Sequence, residues 1–154
     1  MKVGVRLGDR KGSRETFQRF AMVAMQTVDE AVQESAERFR LELQDRIVNG
    51  VKSGIVYKRE NPSRVHQASA PYESPADDTG QLADSFVIRY VAINQYAFSA
   101  DVSSTAPYAY SLEFGDITTN LLPRPFFEPA KLILEEEYGG IVGRVWRHNM
   151  QRYF

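Results

Sequence analysis

The chain has 154 residues, 43% of them apolar and 25% charged, with a formal net charge of −1. That is enough for one ordinary core, and the balance excludes global disorder and any overall electrostatic pull toward nucleic acid or acidic membranes. The absence of cysteine excludes a disulfide framework, thiolate zinc sites and thiol catalysis.

Met1 to Asp9 lacks the continuous apolar stretch of a signal peptide. Nothing downstream has the apolar length of a membrane span, so a protein made and kept in a cytoplasm is expected. Val3, Val5 and Leu7 have the period-two spacing of a strand, ended by Gly8-Asp9. From Arg14 to Val48 no Gly or Pro interrupts the chain. Phe17, Phe20, Ala21, Ala24, Val28, Val32, Ser35, Phe39, Leu43 and Ile47 recur every three or four residues, which predicts one helix stripe. Ser13 suits its N-cap and Asn49-Gly50 its C-terminal stop. Such a helix runs roughly 50 Å, long for a domain of this size. Either it bends, or part of its stripe meets something other than its own core.

Gly54 to Arg59 reads as one short strand or half of a hairpin. From Asn61 to Asp78 regular structure is expected to fail, because Pro62, Pro71 and Pro75 are mixed with Ser, Ala and His. The whole of residues 51–78 is expected to be a mobile strand and loop region. Asp78 is placed to cap a short helix, with Gln81 reaching back as in a capping box, and Leu82 and Phe86 facing inward. Phe86–Ala92 and Tyr96–Val102 alternate and predict an antiparallel hairpin. Pro107 opens another short helix that points Tyr108, Leu112 and Phe114 inward and ends at Gly115. Asp116–Leu122 offers one more strand. The run from Pro123 to Pro129 leads into a last helix, its apolar face formed by Ala130, Ile133, Leu134, Ile141, Val145 and Trp146 and weakened at Gly139-Gly140. The expected architecture is α+β: a long N-terminal and a C-terminal helix packed on a small, mainly antiparallel sheet, with a long Pro-rich loop. Residues 1–154 form a single domain in this reading.

Little in the sequence calls for chemistry. His66 and His148 stand far apart and form no His-Glu-x-x-His pair. Each fits a surface or hydrogen-bonding role better than catalysis. Asp77-Asp78 lacks the spacing of a calcium loop, and capping accounts for Asp78 more simply. Glu135-Glu136-Glu137 reads as a solvated helix face. Ser69 and Ser85 lie in no Gly-x-Ser-x-Gly elbow. No catalytic residue, metal ligand or cofactor-binding residue is assigned, and no enzymatic activity is expected.

Three ordered passages carry a resemblance. The first runs from His66 to Phe86 and contains Ala68-Ser69-Ala70-Pro71, Pro75 and Asp78-Thr79-Gly80-Gln81-Leu82. The second, Ala106 to Gly115, contains Tyr108, Leu112, Glu113 and Gly115. The third is Arg124-Pro125-Phe126-Phe127-Glu128-Pro129-Ala130. With the upstream Ser53–Arg59, they resemble the tail-completion (head–tail joining, minor tail) family of lambdoid and related siphophages. The likeness spans about Gly50 to Ala130. Tyr72 stands where that family usually has Gly, and Asp116 where it usually has Thr; the residues before Ser13 have no evident counterpart.

The resemblance implies a non-enzymatic virion protein of the phage neck, made in the bacterial cytoplasm. Similar proteins form rings, often hexameric, between connector or stopper proteins and the tail terminator or tail tube, with DNA passing through the channel and no membrane partner. The quoted motif residues are then fold determinants or interface residues. Arg124 is a candidate partner for Glu113. Two rivals belong to other classes: a nucleic-acid-binding module using Lys52, Lys58, Arg59 and Arg64, and a phage hydrolase with a pocket at His66 or His148.

Overall fold

The computed structural model describes residues 10–60, 63–94 and 96–153. The strand expected at Val3–Leu7 lies outside them. Helix α1 spans Arg10–Asn49 and α3 spans Phe127–Tyr153. Between them lie the ribbon β1 (Val56–Glu60) and β2 (Ser63–Gln67), the ribbon β3 (Phe86–Asn94) and β4 (Ala97–Ser104), and the short helix α2 (Ala109–Phe114). Both ribbons are antiparallel and separate, each of two strands. The fold is α+β, with two small sheets in place of the one expected.

The uninterrupted run of helix formers gives α1, but it starts before Ser13, so that residue lies inside the helix and does not cap it. Two clusters line α1. Leu43 and Ile47 meet Leu82, Phe86, Ala109, Phe126 and Ala130; further along, Ala31 meets Ile141 and Val145. The buried row on α1 is Val23, Thr27, Ala31, Ser35, Leu43 and Ile47, with Phe39 packed against it. It coincides with the expected stripe from Ser35 onward and departs before it: Val28, Phe20 and Phe17 are exposed. The cause is the change of partner along the helix. Leu43 and Ile47 pack on Leu82, Phe86, Ala109, Phe126 and Ala130, whereas Thr27 and Ala31 meet Asn149, Ile141 and Val145 of α3. Seats spaced by four drift around a helix of 3.6 residues per turn.

The helices run antiparallel and are tied along their length. The Arg38 guanidinium donates from Nε and Nη2 to both Glu137 oxygens, at 2.8 and 3.0 Å; Arg144 pairs with Glu34. Hydrogen bonding by Arg38, against some desolvation, holds the Glu137 carboxylate below its usual range. Glu137 is therefore an inter-helix tie, while Glu135 and Glu136 keep the solvated role expected of the run. Asn149, fully buried, donates to Thr27 Oγ1 at 3.3 Å and Glu30 Oε2 at 2.8 Å. Gly139 and Gly140 lie inside a continuous helix.

Regular structure does not fail after Asn61: Ser63–Gln67 pairs with β1, Val56 opposite Gln67 and Glu60 opposite Ser63. The β3–β4 hairpin matches its expected position, with Phe86 opposite Ser104 and a register shift between Ala92 and Asn94. No extra strand forms over Asp116–Leu122; a single bridge between Asp116 and Leu121 closes a turn instead. No helix among the described residues is long and apolar enough to cross a membrane.

Candidate functional site

The first turn of any helix leaves amide donors without partners. At the start of α3 those donors converge on one side chain from another element. The Glu113 carboxylate accepts hydrogen bonds from the backbone N–H of Phe126 (2.7 Å), Phe127 (2.9 Å) and Glu128 (3.1 Å). The next residue, Pro129, has no amide proton to satisfy. Ala130 then begins the ordinary ladder on the Phe126 carbonyl. A buried anion at a helix N-terminus also faces the positive end of the helix dipole. Burial of Glu113, surprising in the sequence, follows from this arrangement.

The expected Glu113–Arg124 pair does not form, because the three amides occupy the carboxylate. Arg124 turns to the first passage: its Nε donates to Ser69 Oγ at 3.1 Å and its Nη1 to the Leu122 carbonyl at 3.2 Å. Its own amide donates to the Leu112 carbonyl. Pro125 accepts from Ser74 Oγ at 3.3 Å, and Pro123 accepts from the Tyr72 amide at 2.8 Å. Phe126 is fully buried within a group of rings formed by Phe39, Phe86 and Phe127, with centroids 5.3–6.1 Å apart.

The loop of residues 68–78 is stapled from several directions. Ala68 exchanges backbone hydrogen bonds with Gly54 and Ile55. A Cβ on Gly54 would stand 2.7 and 2.8 Å from the Ala68 and Ser69 carbonyl oxygens. Glu73 accepts from Ala70 N (2.8 Å), Ser53 N (2.9 Å) and Ser53 Oγ; these donors, the Ser53 hydroxyl foremost, hold its carboxylate below the usual range. Lys52 Nζ donates to the Pro75 carbonyl at 3.0 Å and to Arg46 O at 3.3 Å, joining the loop to the end of α1. Burial pushes this ammonium down, with Glu73 and Asp77 opposing. Pro71 and Tyr72 stay exposed at the tip. Tyr72 has φ 69, a left-handed conformation that favours glycine over a residue with a side chain.

Asp78 does not cap a helix. Gly80, at φ 81, breaks the helical path there, and it is Asp77 Oδ1 that accepts the Gly80 amide, at 2.9 Å. A one-turn 3-10 segment follows only at Ala83–Ser85, with no side-chain cap. Asp78 faces β2 instead, 3.2 Å from Arg64 and 3.7 Å from His66 Nδ1. Leu112 of α2 packs on the core, while Tyr108, just before the helix, and Phe114 are exposed, contrary to the inward direction expected for them. Gly115 ends the helix at φ 79; a Cβ there would sit 2.8 Å from the Leu121 carbonyl oxygen.

The three passages thus meet in space. A groove of about 460 Å³ is walled by Ala68, Ser69, Pro75, Asp78, Thr79 and Leu82 of the first, Tyr108 and Leu112 of the second, and Arg124 of the third. Glu113, Gly115, Phe126 and Pro129 do not line it; the Pro129 carbonyl accepts from Arg46 at 3.5 Å. Several of the groove's polar side chains are already engaged: Ser69 with Arg124, Asp77 with the Gly80 amide, and Asp78 with Arg64 of β2. These are interactions that fix the loop against the first ribbon and against the segment leading into α3. Among the described residues no group of three or more His, Asp or Glu is placed to hold a metal ion.

Residues 13–115, two thirds of the chain, match the family described as "Bacteriophage HK97-gp10, putative tail-component". The chain belongs to this phage tail-component family, in agreement with the siphophage likeness of its motifs. No curated protein and no solved structure matches it significantly.

Proposed function

We propose that this tail component is a subunit of the virion neck that completes the tail or joins head to tail as part of a closed ring. Its neighbours would be further copies of itself, a connector or stopper protein on one side, and a tail-terminator or tail-tube protein on the other. The genome passes through the channel without being read. The protein acts through contacts and not through turnover.

The observation that supports this reading is the state of the two ribbons. Among the described residues each has two strands, so each strand has an edge that none of those residues pairs with in its own sheet. Both carry exposed apolar side chains: Val56, Tyr57 and Val65 on one, Tyr90, Val91, Ile93 and Tyr96 on the other. An isolated ribbon is marginal in water, and bare edges invite strand addition. Neighbours in a ring would cover both through the two different faces that a closed heterologous interface requires.

Gold labelling of an epitope-tagged, functional copy tests the placement. Label confined to the head–tail junction is the expected result. Label along the tail tube or at its tip, or none on purified virions, would refute it.

A further inference from the structure

Charge along this chain is sorted. Residues 10–27 and 141–153 carry seven Arg or Lys against the single acid Glu15, whereas residues 28–140 carry ten against eighteen acids. The helices run antiparallel, so both basic segments lie at the same end of the pair. There α1 projects: residues 12–20 are all exposed, with Phe17 72% accessible, and Phe20 touches only the edge of the fold, its ring 5.3 Å from that of Trp146. This arm is not arranged for its own stability. Its first turn has no acidic residue, and Arg14 stands near the positive end of the helix dipole, where cations are disfavoured.

At the opposite end, an apolar cleft of about 390 Å³ opens between β4 and α2, lined by Val102, Ala106, Ala109, Tyr110, Phe114 and Phe127. Tyr110 and Phe114 are 73% and 66% exposed, their rings 4.8 Å apart. Asp101 and Glu128, next in sequence to Val102 and Phe127, are exposed carboxylates, each with one cation beside it. Phe39 packs on Phe127, and Phe17 lies 22 residues earlier on the same helix, roughly 33 Å away along its axis. The arm therefore cannot reach its own cleft.

We propose that the arm of one copy, led by Phe17 between Arg14 and Arg19, seats in the β4–α2 cleft of the next copy. A knob and socket at opposite ends of one molecule propagate head to tail, and close when the rotation permits. The acidic excess of the receiving body complements the basic arm and steers the approach. The exposed apolar residues at Phe17, Phe20 and Met22 favour a protein occupant, because binding to phosphates needs only the cations. This inference rests on the ring reading above.

The chain's lack of cysteine allows a direct test on virions and on the full-length purified protein. In the Phe17→Cys, Phe114→Cys double variant, both positions exposed, a short bis-maleimide should give a ladder extending past the dimer, and each single variant should give none. Arg14→Glu with Arg19→Glu should abolish that ladder. Oligomers seen by native mass spectrometry without the 17–114 crosslink would overturn the arm-and-cleft contact and leave the ring standing. No oligomer in solution or in virions would remove the ring and this inference together. A charge-reversed arm that keeps the ladder while particles lose DNA would assign the basic end to nucleic acid and overturn the proposal.

Discussion

The Glu113 carboxylate lies 2.7 Å from the amide nitrogen of Phe126, and the same side chain holds the next two amides of α3. Two motifs that are separate in sequence, the end of α2 and the start of α3, are therefore one structural device. Removing the carboxylate should leave buried donors without a partner. Glu113→Ala is expected to cost about 3 kcal/mol, from the loss of a helix cap and of charged hydrogen bonds. Phe126→Ala, which empties a fully buried seat, should cost roughly 3–5 kcal/mol. Glu136→Ala, on the exposed side of α3, should shift stability by less than about 0.5 kcal/mol. Urea titrations of the three variants check the ranking.

Tyr72 adopts φ 69 with its ring largely exposed. The left-handed conformation costs a residue bearing a Cβ roughly 1–2 kcal/mol, while the ring returns little. Tyr72→Gly should therefore raise thermal stability by a few degrees, unless a partner holds the ring in the assembled particle. Calorimetry on the free protein together with infectivity of the variant separates the two uses. A stabilised subunit with reduced infectivity would mark Tyr72 as a contact residue.

Gly54 makes the opposite case. With two carbonyl oxygens 2.7 and 2.8 Å from a hypothetical Cβ, Gly54→Ala must push the β1 entry away from residues 68 and 69. Hydrogen exchange should report faster exchange at the Gly54 and Ala68 amides, and a loss of about 1–3 kcal/mol is expected from forced overpacking.

Acid should loosen the same region. The Glu73 carboxylate is held below its ordinary value by Ser53 and Ala70. Its folded pKa being depressed, its contribution is complete above the unfolded carboxylate pKa and disappears as pH falls through the folded one. Amide exchange at Ser53 and Ala70, corrected for intrinsic rate, should accelerate below the ordinary carboxylate range in the wild type. In Glu73→Gln it should be fast and nearly independent of pH in that window.

The long helices, the β3–β4 hairpin and the α+β class could be read from periodicity, because burial on one face imposes a repeat that survives without tertiary information. Strand β2 could not. Ser63-Arg64-Val65-His66-Gln67 has one apolar residue and follows a proline, and it is a strand because β1 offers it a partner. Asp78 is displaced from the expected capping role for a local reason: with Gly80 left-handed, the tight turn donates its Gly80 amide to the earlier aspartate, Asp77. Arg124 and Glu113 looked like a pair by charge alone; the competitor, three amides of a helix fourteen residues on, belongs to the backbone and leaves no mark in the side-chain sequence. The buried Asn149 was equally hidden, since its partners Thr27 and Glu30 lie on the far helix. The convergence of the three motif passages on one groove had a signal only as an ordered set.

Electron microscopy of a lysate from phage lacking this gene decides whether the protein joins heads to tails. DNA-filled heads and separate tails that do not become stable joined virions are expected, with joining restored by the intact subunit supplied in trans. Normal numbers of joined, DNA-filled, infectious particles without the subunit would contradict that role.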